Sequence, residues 1–230
     1  MNAFIIDNTI NSRADLGIRI TKPPVVSPAK RVVRHITVDG REGTLTMKRG
    51  WEDVDFSFNA ALLGANGSAA FKTALPKLLN AKTVYFSNDK DVYYKVKHVD
   101  CQRLEQRLQS LYEFSLTFTC SPFQYLRNVS PITLTASGAV TNIGTVHSLP
   151  RIAVYGTGSR TLTINGKPII LNILSGHLIL DSELKMCHFG SVAQNQNMQG
   201  DFPVLEVGSN IITLGVGITS VVVEGRWRYL

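Results

Sequence analysis

Residues 112–120 read Tyr-Glu-Phe-Ser-Leu-Thr-Phe-Thr-Cys. They place Tyr112, Phe114, Leu116, Phe118 and Cys120 on one side of an extended chain and Glu113, Ser115, Thr117 and Thr119 on the other. Side chains of a strand point alternately to its two faces, so this pattern specifies a half-buried antiparallel strand. Ser121-Pro122-Phe123 is expected to end it, because proline gives no N–H to a ladder.

The chain before this strand also reads as mostly extended. Val84-Tyr85-Phe86, the turn Ser87-Asn88-Asp89 and an extended run over 92–99 precede it. Farther back, Arg31 to Val38 is β-branched and Asp39-Gly40 is a turn signal. A hairpin is expected over 41–58. Leu45 and Met47 lead up, Lys48-Arg49-Gly50 turns, and Val54, Phe56 and Phe58 return with Asp53, Asp55 and Ser57 on the opposite face. Its charged tip, with Trp51 beside it, is a candidate contact element. Pro23, Pro24 and Pro28 favour an extended strap near the N-terminus. One helix interrupts the strands. Phe71, Ala74, Leu75, Leu78 and Leu79 form a helical stripe and Ser68 is placed to cap it. An interior proline costs roughly 3 kcal/mol, so a kink or break is expected at Pro76.

Composition changes near residue 130. Residues 1–130 hold 18 Lys/Arg against 12 Asp/Glu, a surplus of +6, whereas 131–230 hold 6 against 5, or +1. Beyond the change, Gly, Thr and Ser are frequent and short strands recur. Thr161 to Ile164 and Pro168 to Leu171 flank Asn165-Gly166, a strong two-residue hairpin signal. His177 to Asp181, Val204 to Val207, Ile211 to Leu214 and Thr219 to Tyr229 complete a set with no helix. In the last, Val221, Val223, Trp227 and Tyr229 are expected on one face, with Glu224, Arg226 and Arg228 on the other. This half reads as an all-β sandwich.

The chemistry-bearing residues form weak patterns. Cys101, Cys120 and Cys187 are sparse and odd in number, which suits reduced, buried thiols better than a disulfide framework. Asp181 and Glu183 share a strand face, but two charges at a strand end are the simpler reading. Gly156-Thr157-Gly158 lacks the third glycine and following helix of a phosphate loop and reads as a turn. His35, His98, His147, His177 and His188 are dispersed, and Cys187-His188 are adjacent, so on a strand they point to opposite faces. Neither a catalytic group, a metal site nor a cofactor is expected. Trp227 reads as a core residue, whereas Trp51 is weighed between packing and a partner contact. The start, MNAFIIDNTI, carries no secretory pattern, the sequons at Asn66 and Asn128 mean little without secretion, and no apolar run is long enough to span a bilayer. The net charge of +7 is scattered among acidic residues, which points to solvated faces or subunit contacts before nucleic acid.

Taken in order, several strings resemble the distal tail protein (Dit) family of long, non-contractile-tailed bacteriophages of Gram-positive bacteria. Residues 34–45, RHITVDGREGTL, are similar to its strand and turn, 86–98, FSNDKDVYYKVKH, to its Tyr-Tyr-Lys strand, and 112–125, YEFSLTFTCSPFQY, to its aromatic strand. In the second half, 142–156, NIGTVHSLPRIAVYG, resemble its entry into the C-terminal domain. Residues 160–166, RTLTING, 200–206, GDFPVLE, 208–214, GSNIITL, and 225–230, GRWRYL, continue the order.

The resemblance implies a mainly β fold with one helix: an N-terminal β-sandwich plus helix and hairpin over 1–130, and a C-terminal galectin-like β-sandwich over 131–230. It further implies a non-enzymatic, hexameric ring at the distal end of a phage tail, formed by the N-terminal domains and made in the host cytoplasm. One face of the ring would meet the tail tube protein and the other the tail-associated tip protein, with receptor-binding or baseplate proteins as further partners. DNA would pass through without specific binding, and no membrane insertion is implied. The length leaves no room for the inserted sugar-binding modules of longer relatives. Candidate contacts are Lys48, Arg49, Trp51, Glu52, Pro23 and Pro24. The competing reading is a lectin-like carbohydrate-binding module, which calls for an aromatic platform beside amide or acidic groups in the second half.

Overall fold

The computed structural model describes residues 3–22, 24, 28–63, 66–102, 104–108 and 110–230. Two units emerge: Met1–Arg127 together with Leu230, and Asn128–Tyr229.

The first unit contains β1 (Phe4–Ile6), β2 (Ile10–Asn11), β3 (Ile18–Ile20), β4 (Arg31–Thr37), β5 (Thr44–Trp51), β6 (Val54–Leu63), α1 (Gly67–Leu79), β7 (Thr83–Phe86), β8 (Asp89–Cys101), β9 (Glu105–Leu108) and β10 (Leu111–Leu126). The main sheet runs β2-β1-β7-β8-β10-β6-β3, with β9 also on β10, and its pairings are antiparallel. The alternation read from 112–120 is its axis. Phe114, Leu116, Phe118 and Cys120 are buried, while Ser115, Thr117 and Thr119 bond across to Asn59, Ser57 and Asp55 of β6. Pro122 does not end β10. The strand runs on to Leu126, and residues 121–123 form an irregularity between the pairs Cys120↔Val96 and Gln124↔Tyr94. A bulge frees the proline from the donor it lacks, so the ladder resumes beyond it.

The sheet curls. Strands in a flat sheet lie about 4.8 Å apart, which would separate β1 from β10 by roughly 14 Å. Yet the Phe4 ring of β1 lies 5.4 Å from Phe118 of β10 and 5.6 Å from Phe58 of β6. The two flanks therefore face one another around Phe4, Phe56, Phe58, Phe86 and Phe118. Helix α1 adds Ala74 and Leu78 to this core, with Phe71 half-buried against Phe114. The buried stripe is narrower than expected, since Leu79 is exposed and Leu75 half-buried. Asn66 holds the cap position expected of Ser68, without a side-chain capping bond. Pro76 neither breaks nor ends the helix. It lies on the exposed side one turn from the end, so its ring costs the helix a single bond, to the Lys72 carbonyl.

The second unit contains β11 (Ile132–Leu134), β12 (Gly138–Asn142), β13 (Arg151–Gly156), β14 (Gly158–Ile164), β15 (Lys167–Ile173), β16 (His177–Asp181), β17 (Met186–Phe189), β18 (Val192–Ala193), β19 (Met198–Gln199), β20 (Gly208–Leu214) and β21 (Ile218–Glu224). They form two antiparallel sheets, β11-β21-β13-β16-β17-β18 and β12-β20-β14-β15-β19. Each buries one face: Ile152, Val154, Leu178, Leu180, Val221 and Val223 on the first, Leu162, Ile164, Ile169, Leu171, Ile173 and Ile212 on the second. A Cβ placed on Gly156 of the first sheet would lie 3.5 Å from Ile173 Cδ1 of the second, so the buried faces meet as a sandwich. Asn165 and Gly166, with φ of 51° and 77°, form the expected hairpin turn between β14 and β15.

Three expectations for this unit need correction. Residues 204–207 form no strand; Leu205 makes only an isolated bridge to Ser148, while Asn142 Nδ2 donates to its carbonyl. A short 3-10 turn, Asn195–Asn197, is present, with Asn195 Oδ1 accepting from the Cys187 N–H. The final strand breaks after Glu224 because Arg226 adopts φ 48°, which upsets the alternation. Arg228 consequently turns inward, is buried, and donates through Nε to the His147 carbonyl at 2.6 Å.

Candidate functional site

Among the described residues, strands β4 and β5 pair only with each other and contain no buried residue. The hairpin therefore differs from the one expected. Its turn lies between Thr37 and Thr44, where Gly40 and Gly43 have φ of 78° and 76°, whereas Lys48, Arg49 and Gly50 belong to β5. Val54 onward pairs instead with β10, because only there are Phe56 and Phe58 taken out of water. The turn signal at Asp39-Gly40 was visible in the sequence, but alternation does not say which strand will be the partner.

The register Arg34↔Met47 and Ile36↔Leu45 puts these four side chains on one face. Leu45 and Met47 are 41% and 46% exposed there, with Val33 at 40% on the other face. At the base, the Glu52 N–H donates to the Lys30 carbonyl, and the Arg31 guanidinium lies 4.9 Å from the Trp51 ring. Lys48, Arg49 and Glu52 are exposed and Trp51 half-buried. Pro24 is half-buried outside any strand, and Pro23 lies outside the described residues. The hairpin thus carries Lys48, Arg49 and Trp51 in β5, with Glu52 just past its end. A two-stranded hairpin is marginal in water without a surface to cover it.

Titratable groups elsewhere serve packing. Asp181 is no ordinary surface charge. Its side chain is 4% exposed and it receives two hydrogen bonds from Arg226, Nη1 to Oδ1 at 2.8 Å and Nη2 to Oδ2 at 2.7 Å. The Glu183 and Leu184 N–H groups also donate to Oδ1. Burial pushes the Asp181 carboxyl upward, but the Arg226 bonds, the two N–H groups and the Arg226 charge outweigh it and hold it below the usual carboxylate value. Glu183 flanks Arg226 at 3.3 Å, so the two acids bracket a guanidinium rather than a substrate. Burial raises the Cys120 thiol to about 12, with Asp55 and Asp53 adding to it, and raises Cys187 to about 11. Trp227 is buried against Gly225. Among the described residues, no cluster of His, Cys, Asp and Glu is arranged to hold a metal, and no helix is long and apolar enough to cross a membrane.

No family model and no curated protein sequence matches this chain. Its fold is nevertheless similar to solved phage structures. The SPP1 Dit (gp 19.1) protein, described as a paradigm of the hub adsorption apparatus in Gram-positive infecting phages, aligns with a TM-score of 0.68 at 15% identity. That match covers 97% of each chain. A chain of the phage P2 baseplate in its activated conformation with Ca aligns with a TM-score of 0.52 at 10% identity, again over 97% of each chain. At these identities the likeness is one of fold, and it extends through both units.

Proposed function

We propose that this chain is a structural, non-catalytic hub subunit of a bacteriophage tail tip, which closes into a hexameric ring through its first unit. The observation that carries this reading is the correspondence with SPP1 Dit over 97% of both chains, both units included. A closed ring joins unlike surfaces of successive copies. The hairpin suits such a contact because it exposes Leu45, Met47, Lys48 and Arg49, with Trp51 half-buried at its base. Laid on a neighbouring copy, it gains the support that an isolated hairpin lacks. One face of the ring joins the tail tube protein, the other the tail-associated tip protein. The galectin-like second unit is offered to receptor-binding or baseplate proteins. The site of action is the distal end of the virion tail, after synthesis in the host cytoplasm.

DNA passes through the bore without being held. Exposed lysines and arginines lining a channel would bind phosphates, so Lys48, Arg49 and Lys72 face neighbours or the outer wall. Negative-stain images of the purified chain test this reading. Six-fold rings are expected. They should vanish when Leu45, Met47 and Trp51 are all replaced by serine, while the thermal unfolding temperature stays within a few degrees. Rings that survive the replacement would remove the hairpin from the interface, and an absence of rings from the unaltered chain would count against the hub itself.

A further inference from the structure

The second unit contains a cleft of about 480 Å³ between the β14–β15 turn and the segment 200–206. This volume lies within the roughly 300–1,000 Å³ of small-molecule sites. Ile164 and Ile169, both buried in the sandwich, border the cleft. Phe202 forms a half-buried aromatic wall, with the Lys185 ammonium 5.8 Å from its ring centre. Lys167, Asp201 and Glu206 complete the lining. All three are exposed, and among the described residues their side chains make no hydrogen bond or ion pair.

The cleft is held open by local devices. Met198 and Gln199 pair with β15, and the chain then leaves that strand at Gly200, which has φ 115°. A Cβ at Gly200 would stand 2.9 Å from the Pro168 carbonyl oxygen, so only glycine allows the departure that opens the space. On the opposite side, buried Asn210 fixes the backbone of Glu206, accepting its N–H and donating to its carbonyl, each at 2.8 Å. The same Asn210 Oδ1 accepts from Asn165 Nδ2, which ties this wall to the hairpin turn.

We propose that this cleft binds a neutral carbohydrate, a hexose or N-acetylhexosamine disaccharide. Two carboxylates disfavour an anion and two ammonium groups disfavour a cation. A ligand with many hydroxyls satisfies both, donating to Asp201 and Glu206 and accepting from Lys167 and Lys185. The half-buried Phe202 ring takes the C–H face of a pyranose. This binding does not depend on ring formation.

Saturation-transfer NMR of the full chain with lactose, maltose, cellobiose and chitobiose, one at a time, tests the site, with glucose 6-phosphate and inorganic phosphate as charged comparisons. At least one neutral disaccharide should receive saturation. Asp201→Asn and Glu206→Gln should each weaken its binding about tenfold, the loss of a hydrogen bond to a charged group. Glu42→Gln, in the other unit, should leave it unchanged. Both cleft variants alter exposed, unpaired side chains, so unchanged thermal unfolding confirms that they fold. Saturation of the phosphate compounds alone, of none of the sugars, or of a sugar whose binding ignores both cleft variants would each overturn the proposal.

Discussion

Replacing Arg226 with methionine should destabilise the second unit by about 3 kcal/mol at pH 7. The replacement keeps an aliphatic stem over the same surface but leaves Asp181, 4% exposed, with only two backbone donors. Breaking a buried ion pair by removing one partner costs about 3–5 kcal/mol. Arg226 is itself 23% exposed, so the lower end applies. For a unit of about a hundred residues this corresponds to a fall of roughly 14 °C in unfolding temperature. Trp227, buried in this unit, reports the transition by fluorescence. The effect should also depend on pH. Asp181 is held below its usual value, so its contribution is present above the ordinary carboxylate range, near pH ~4, and is lost as pH falls through the lower folded value. In the variant, burial acts without the guanidinium and raises the Asp181 pKa, so acid relieves the variant while it weakens the parent. The gap between the two proteins should therefore narrow below about pH 5. A loss under about 1 kcal/mol, or a gap that stays constant from neutral pH into acid, would mean that the Asp181–Arg226 pair does not hold this unit as described.

Other perturbations probe the remaining structure. Leu116→Ala, at a fully buried position of β10, should cost about 3 kcal/mol in urea unfolding followed by circular dichroism; a change below 1 kcal/mol would remove β10 from the core. Gly67→Ala drives a methyl into the Tyr112 ring, and overpacking of about 1–3 kcal/mol should outweigh the gain of up to about 1 kcal/mol in helix propensity, giving a lower unfolding temperature. Cys120 and Cys187 are buried and their thiols raised, so both should resist a disulfide reagent at pH 8 in the folded protein and react in urea. Rapid labelling of either in the native state would contradict their placement.

Much of the architecture was legible because local rules and global packing agree. The alternation at 112–120 and the Asn165-Gly166 turn each specify geometry within a few residues, and both hold in the structure. Strand partners and exceptions to alternation are set by packing beyond the local sequence. The strand carrying Leu45 and Met47 pairs with β4 and not with the strand that follows it, since a period of two identifies a face and not a neighbour. Pro122 looked like a terminator, but a bulge absorbs it. The left-handed Arg226 reversed the expected direction of Arg228 and brought a guanidinium onto Asp181. The cleft gathers residues near 165, at 185 and over 200–206, which only tertiary folding places together. Of the contact candidates, Lys48, Arg49 and Trp51 lie in β5 and Glu52 just past its end, in a different hairpin from the one the spacing suggests.

The tail-hub reading stands or falls on self-assembly. Light scattering of the purified full chain across a range of concentrations gives the particle mass without reference to any partner. A ring subunit yields a species six times the mass of one chain, and the Leu45, Met47 and Trp51 serine replacement returns it to a single chain. A particle that keeps the mass of one chain at every concentration, with normal folding by circular dichroism, contradicts the proposed ring.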